Sequence, residues 1–351
     1  MKGVLLVNLG SPDSTSTKDV RKYLDEFLMD ERVIDAPKWL RTLLVRGIIL
    51  NTRPKKSAKA YKKIWWDEGS PLIVLSERLT KKVRTKTTLP VALAMRYGSP
   101  SIKTGLQELH DKGVSEVLIV PLYPQHAMAT TETILVLAEE LRQQFFPKMT
   151  FSDIPAFYHR KDYIKVLGDS IKNHLEGKEW DKMLFSYHGI PERHVRKSDI
   201  TKKHCNPSDS KNFACCKTSS AAHEFCYKHQ CYETTKQVVA YLGLQPHQYF
   251  VSFQSRLAGD PWLQPYTDKM LEKYPEEGVK KLAVVTPAFV SDCLETLEEI
   301  AMEGKEEFLE AGGEEFYAIP CMNDNDDWVQ VLVNWIEAWG LKEEATLEAG
   351  I

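Results

Sequence analysis

Short, unbroken apolar runs recur along the chain, separated by amphipathic stretches. The runs are Val4–Asn8, Val91–Met95, Val117–Pro121, Phe151–Ala156, Met183–Ser186, Tyr249–Phe253, Leu282–Thr286 and Phe316–Pro320. They lack the alternation of a half-exposed strand. Continuous Val, Ile and Leu therefore predict parallel strands buried on both faces. Between the runs, Val20, Tyr23, Leu24, Phe27 and Leu28 follow a 3.6-residue period. Ile134, Leu137, Leu141 and Phe145 do the same. The pattern predicts an α/β chain with four strands in each half, divided into residues 1–160 and 161–351.

The halves look alike. Gly113-Val114 precedes Val117–Pro124, and Gly278-Val279 precedes Leu282–Phe289. Each run leads to a Glu-Thr pair opening a helix, Glu132-Thr133 and Glu295-Thr296. Doubly wound sheets bind ligands at the carboxyl ends of their strands, so chemistry is expected there. The turn after the first strand, Asn8-Leu9-Gly10-Ser11-Pro12, is not a Gly-x-Gly-x-x-Gly loop. A Walker-type loop is also missing, which removes the usual nucleotide cradles. From about residue 194 to 231 the chain turns polar and rich in Cys, His and Lys, and reads as an insertion after the fifth strand.

Composition narrows the class. The chain has 351 residues, enough for about two domains. Its 43% hydrophobic and 27% charged residues exclude a disordered chain. A net charge of −3 argues against binding nucleic acid through bulk charge. No stretch is apolar enough to span a bilayer; the best, Trp39–Leu50, is interrupted by Arg41 and Arg46. The amino terminus reads as a strand and not as a signal peptide. The expectation is a cytoplasmic protein. There are seven cysteines, and Cys205, Cys215, Cys216, Cys226 and Cys231 fall within 27 residues. With no export signal, this cluster calls for a metal or a redox explanation.

Several residues could carry chemistry. His188 ends the fifth strand at a Gly189-Ile190-Pro191 turn; it is either a proton acceptor or metal ligand, or a capping histidine. Asp292, Glu295, Glu299, Glu303 and Glu306 share one face at ~100° per residue on a helix. That stripe could conduct a cation or protons, or simply be solvated. Arg96-Tyr97, Gln254-Ser255-Arg256, Pro261-Trp262-Leu263 and Tyr61 with Trp65-Trp66 would line a flat apolar ligand, with Arg for anionic side groups. Each also has a plain reading as core aromatic or surface cation.

Taken together, these segments resemble the ferrochelatase family, and its Gram-negative bacterial branch in detail. The resemblance runs from Val7-Asn8-Leu9-Gly10-Ser11-Pro12 to about Asn323. It includes Arg96-Tyr97, Tyr123-Pro124-Gln125, Ser186–Pro191, Phe253–Arg256, Pro261–Leu263 and Ser291–Leu297. It implies the class II chelatase fold, two Rossmann-like domains with parallel four-stranded sheets and a porphyrin cleft. It implies insertion of ferrous iron into protoporphyrin IX, the last step of haem synthesis, with coproporphyrin III as the rival substrate. His188 and Glu295 would be catalytic and would meet the substrate iron with Asp292 and Glu299. Leu9, Tyr61, Arg96, Gln254, Ser255, Trp262 and Phe289 would bind the porphyrin. Cys293 stands where some relatives have histidine, so iron ligation is not expected there. A non-catalytic iron–sulfur or haem-binding sensor on the same scaffold is the alternative, and loss of His188 or Glu295 would have favoured it. Cobalt insertion into sirohydrochlorin shares the fold but fewer of these segments.

The resemblance also bears on the insertion. An animal-type cluster is excluded, because Met128 stands at one of its cysteine positions and no cysteine follows Cys321. Some bacterial members place cluster cysteines in an internal segment. A 2Fe-2S cluster on Cys205, Cys216, Cys226 and Cys231, with Cys215 as a substitute for Cys216, is the expected cofactor. Zinc or free thiols are the other readings. Finally, a membrane-soluble substrate suggests transient peripheral contact at the inner face of the cytoplasmic membrane, through Trp39, Leu40, Leu43, Leu44, Ile48 and Ile49. A packed helix is the other reading of that segment.

Overall fold

The computed structural model describes residues 1–204, 214–257 and 260–341. The chain forms two units, and each contains one parallel four-stranded sheet.

The first unit comprises Met1–Leu122, Ala129–Pro155 and Asn323–Ile351. Its strands are β1 (Lys2–Asn8), β2 (Val91–Met95), β3 (Glu116–Pro121) and β4 (Thr150–Asp153), in the order β2-β1-β3-β4. Val4 lies beside Val91, and Val7 beside Pro121. Val4–Val7 are wholly buried, as an unbroken apolar run at the sheet centre requires. The helix Thr17–Leu28 starts where the Ser16 hydroxyl accepts the Asp19 N–H, and it buries Val20, Leu24 and Leu28.

The second unit comprises Tyr123–Met128 and Ala156–Met322. Its strands are β5 (Lys182–His188), β6 (Tyr249–Gln254), β7 (Lys281–Val285) and β8 (Glu315–Ala318), in the order β6-β5-β7-β8. The two units therefore share one strand order. Leu184, Leu282, Val284, Tyr274, Ile300 and Phe308 anchor a core on one side of the second sheet. In this order the switch point lies between the first and third strands of each sheet. Leu9 follows β1 there, and His188 ends β5 there.

All eight expected strands are present; β2 has its expected bounds, and the ends of the others differ by at most three residues. The expected division at residue 160 differs from the observed one in a specific way. The last helix, Asp326–Leu341, belongs to the first unit and packs on the helix Pro71–Arg84. Trp328, Val329, Leu332 and Ile336 bury its inner face. Amphipathicity announces such a helix but does not say which sheet it covers.

The Trp39–Leu50 segment is helical throughout: Lys38–Thr42, then a π-helix Leu43–Ile49, then Leu50–Ile64. Trp39, Leu43 and Ile48 stand 71%, 59% and 60% exposed. Leu40 and Leu44 are also exposed, while Ile49 is half-buried. Packing thus does not account for most of these apolar side chains. Among the described residues, no helix is long and apolar enough to cross a membrane.

Candidate active site

The strand ends of the second sheet gather most of the expected residues. His188 closes β5 beside Gln254, the last residue of β6. The His188 Nδ1 lies 2.6 Å from the Gly189 carbonyl oxygen. A carbonyl can only accept, so Nδ1 carries a proton, and in the neutral ring the lone pair is then on Nε2. The Phe289 ring meets the imidazole edge-on at 6.3 Å. Gly189 N–H donates to the Gln254 carbonyl at 2.6 Å. A Cβ on Gly189 would stand 2.9 Å from the carbonyl oxygens of both Gln254 and Ser255, and 3.3 Å from the Trp262 ring. Only glycine fits this approach. Trp262 is buried and pairs through its backbone with Pro191.

The acidic segment follows β7. Glu295–Gly304 is a π-helix, whose i→i+5 bonds widen the turn. The expected α-helical stripe is corrected accordingly. Asp292 precedes the helix and is buried, accepting from the Thr296 hydroxyl at 2.9 Å and the Cys321 N–H at 3.3 Å. Glu295 and Glu299 are half-buried, whereas Glu303 and Glu306 are exposed. Glu306 sits in the following α-helix, Lys305–Glu310. Acidity therefore runs from the interior to solvent, though not along one α-helical face. Glu298, which the 3.6 period leaves off the stripe, is 6% exposed.

Gln254 and Ser255 tie this helix to the sheet. Gln254 Nε2 donates to the Glu295 carbonyl at 2.8 Å, and its Oε1 accepts from the Ser186 hydroxyl at 2.8 Å. Ser186 also meets the Thr267 hydroxyl at 2.8 Å. The Ser255 N–H donates to Glu299 at 2.8 Å, and the Ser255 hydroxyl donates to the other carboxylate oxygen. Ser255 reaches both by adopting φ +58, a left-handed conformation rare for serine. Burial raises the Glu299 pKa above the ordinary carboxylate range, against the Ser255 bonds and the nearby His188. The neighbouring Glu295 adds to the rise. His188, Glu295 and Glu299 thus share one electrostatic environment.

In the first unit, Leu9, Tyr61 and Arg96 are placed as follows. Leu9 is half-buried and receives the Tyr97 N–H on its carbonyl at 2.9 Å. Gly10, at φ +103, lies so close to the Tyr97 carbonyl that a Cβ would fall 1.9 Å from it. Tyr61 is buried with its ring edge-on to Trp65 at 6.1 Å. Arg96 is paired: its Nη2 bonds the Asp30 carboxylate, and its Nε donates to the Thr133 hydroxyl at 2.7 Å. Burial opposes the charge on Asp30, but the Thr133 hydroxyl, the Arg32 N–H, the Arg96 cation and the Tyr97 hydroxyl together hold its pKa below the ordinary value.

The insertion is only partly described, and Cys205 lies outside the described residues. Cys215 and Cys216 are half-exposed, and Cys226 and Cys231 are buried. Burial pushes the Cys216 thiol up to about 12, reinforced by Cys226 and Cys215. Cys231 opens no cluster of its own: it is on the helix Tyr227–Leu242, wholly buried, with its thiol in hydrogen-bonding reach of Tyr227. Among the described residues, no group of three or more His, Cys, Asp or Glu is arranged to hold a metal ion. The described part therefore contains no finished four-thiolate set.

Sequence reading missed Ser186, Thr267, Glu298 and Tyr227. Ser186 is a small polar residue inside an apolar strand and Thr267 opens a helix, and no periodicity marks either.

Glu299 yields a prediction about stability. Its raised pKa means that the folded chain holds this proton more tightly than the unfolded chain does. The stability from that proton is complete below the ordinary carboxylate value and is lost as pH rises through the folded value. Glutamine does not titrate. The Tm of Glu299→Gln relative to wild type should therefore increase from about pH 5 to about pH 8. A difference independent of pH in differential scanning calorimetry would contradict this.

The Ferrochelatase family model matches residues 1–339. A ferrochelatase of Opitutus terrae is 47% identical over 341 residues, covering 96% of this chain and 97% of that protein. Those of Ectopseudomonas mendocina and Pseudomonas syringae pv. tomato are 49% and 47% identical over 331 residues, each covering 94% of this chain and 95% of the relative. Among solved structures, SirB from Bacillus subtilis with Fe3+ matches with TM-score 0.53 at 10% identity, covering 96% of this chain and 94% of that one. The sirohydrochlorin chelatase SirB from subspecies spizizenii, in complex with cobalt, gives 0.53 at 10% identity, covering 98% and 97%. At that identity the likeness shows the fold alone, that of a chelatase with two parallel sheets. The relatives go further, and the chain belongs to the ferrochelatase family.

Proposed function

We propose that this enzyme inserts ferrous iron into protoporphyrin IX to give protohaem. The observation that carries the reading is the pairing of an Nδ1-protonated His188 with Glu299 and Glu295 at one set of strand ends, in a chain that matches its family almost end to end.

The chemistry sets the requirements. Fe2+ replaces two pyrrole protons, so two protons leave for each iron that enters. A flat macrocycle hides its nitrogen lone pairs, and a base must meet them on one face. Nε2 of His188 holds the available lone pair and accepts a pyrrole proton or meets the iron. Glu299, whose proton is held by burial, passes protons on with Glu295. Asp292 continues the acidic set inward, and Glu303 and Glu306 continue it to solvent. Trp262 and Phe289 offer apolar surface beside the imidazole, Ser255 holds the Glu299 carboxylate, and Gln254 holds the Glu295 backbone carbonyl. Leu9, Tyr61 and Arg96 complete the porphyrin contacts in this reading. Coproporphyrin III, with more carboxylates, is the competing substrate and is decided by the same assay.

A 2Fe-2S cluster on Cys205, Cys216, Cys226 and Cys231, with Cys215 as the substitute, belongs to the proposal. The mutual influence of Cys215, Cys216 and Cys226 supports it. When bound, such a cluster would supply electron transfer or a structural clamp, and no step of insertion needs it.

The proposal also includes peripheral contact with the inner face of the cytoplasmic membrane. The exposed Trp39, Leu40, Leu43, Leu44 and Ile48 support it. So does the charge around them: from Ala36 to Trp66 the chain has nine Lys and Arg and no Asp or Glu. Arg46 is paired with Asp25, and Lys55, Lys56, Lys59, Lys62 and Lys63 are exposed. Apolar side chains beside a basic helix suit an anionic bilayer surface.

Three measurements test these readings. In an anaerobic assay with Fe2+ and each porphyrin, His188→Ala should lower insertion by about 10²–10⁴-fold while remaining folded. Near-wild-type turnover by that variant would remove His188 from the chemistry. Anaerobically purified protein should show visible iron–sulfur absorbance and about two irons per chain; colourless, iron-free protein removes the cluster. The wild type should float with vesicles containing anionic lipid at low salt, and Trp39→Ser with Ile48→Ser should float less. Equal flotation of both, or none of the wild type, counts against the membrane contact.

A further inference from the structure

The proposed role of His188 raises the question of what fixes its ring. The relevant peptide is the one joining His188 to Gly189: it carries the His188 C=O and the Gly189 N–H, and pinning it fixes the His188 backbone and the Gly189 N–Cα axis from which the Gly189 carbonyl extends. That carbonyl is the acceptor that keeps the imidazole proton on Nδ1. A peptide plane has just two polar handles, an N–H and a C=O. Here the N–H is held by the Gln254 carbonyl at 2.6 Å. The C=O of His188 is held by the Tyr227 hydroxyl at 2.8 Å.

Tyr227 comes from a distant stretch of chain. It is the first residue of the helix Tyr227–Leu242, directly after Cys226, and it is buried. Its hydroxyl has one proton, and a carbonyl takes it. The Cys231 thiol, one turn along the helix and wholly buried, lies within reach of the same oxygen. The hydroxyl proton goes to the His188 carbonyl, so Tyr227 holds that carbonyl whatever the state of the thiol. Gly189 leaves no room for a compensating shift, since its neighbours already crowd the Cβ position.

We propose that Tyr227 is a positioning residue for His188, acting through the His188–Gly189 peptide to hold the Nδ1–H tautomer and to aim Nε2. It touches no substrate in this reading. The inference rests on the proposed role of His188, and the two can fail separately. Without the hydroxyl, the peptide is held at one end only. The backbone leading into Gly189 then gains freedom, the Gly189 carbonyl is less firmly placed against Nδ1, and the imidazole loses the fixed acceptor that selects its tautomer.

The test uses the full chain with Tyr227→Phe, which removes one oxygen from a buried ring. Loss of one hydrogen bond's worth of positioning predicts a kcat lower by about 3–10-fold, with an unchanged KM for porphyrin. In ¹⁵N spectra of the imidazole, assigned by loss of signal in His188→Gln, the wild type should show protonated Nδ1, and Tyr227→Phe should show mixed tautomers. Replacing Tyr227 by 4-aminophenylalanine, which restores a donor at the same place, should recover both properties. An unchanged kcat or an unchanged tautomer in folded Tyr227→Phe overturns the proposal. Should that variant not fold, the wild-type spectrum still decides, because a proton on Nε2 would also overturn it. Full activity in His188→Ala would instead sink the reading of His188 itself.

Discussion

A backbone carbonyl cannot donate a hydrogen bond, and much of the second unit's chemistry follows from that. Because Nδ1 of His188 faces the Gly189 carbonyl, the imidazole proton has one place to be. Its basic nitrogen is then fixed without a charged partner. Serine and cysteine hydrolases commonly orient a histidine with a carboxylate. There the orienting group also brings a charge, whereas the acceptor here is a neutral backbone carbonyl.

The carboxylates are handled differently. Burial pulls Glu299 toward its protonated form, and the two Ser255 donors pull it toward the ionised form. The opposing effects bring its two forms closer in energy than either influence would. That balance suits a group that exchanges protons with a neighbour. The strained Ser255 backbone is consistent with the same view: an unfavourable φ persists only where the surroundings hold it, and here both donors converge on one carboxylate. The π-turn of Glu295–Gly304 brings Glu295 and Glu299 into this arrangement and also buries Glu298. π-turns are rare and concentrate at functional sites.

The legible parts of the sequence were those governed by a single strong term. Strands buried on both faces must be apolar throughout, so all eight could be read from Val, Ile and Leu runs. His188 and the carboxylates stood out as polar residues following such runs, but each had a plain structural reading, and only the resemblance to the family assigned them to a site. Glu298 was missed because the 3.6 period does not apply to a π-turn, and nothing in the local composition marks the change. The last helix was assigned to the wrong half because its apolar face fits any sheet, and only chain path decides. Tyr227 was invisible for a related reason: its partner is a backbone carbonyl 39 residues earlier, and backbone acceptors leave no trace in a sequence.

Arg96 shows where a reading by residue type needs the structure most. An arginine near a strand end reads as an anion clamp. Here its Nη2 and Nε are taken by Asp30 and Thr133, and its guanidinium lies over the Tyr97 ring at 4.4 Å. The pair is neutral overall, so its field falls off faster than that of a lone cation. Among the described residues, the Nη1 group has no hydrogen-bond partner. An arriving carboxylate would therefore meet a guanidinium already locked in direction, with one edge free. Such a group contributes less attraction at long range and more selection by geometry, because it cannot swing to follow a misplaced anion. In the proposed reading, Arg96 then tests the placement of a porphyrin side group, and recruitment of the anionic substrate falls to unpaired cations elsewhere.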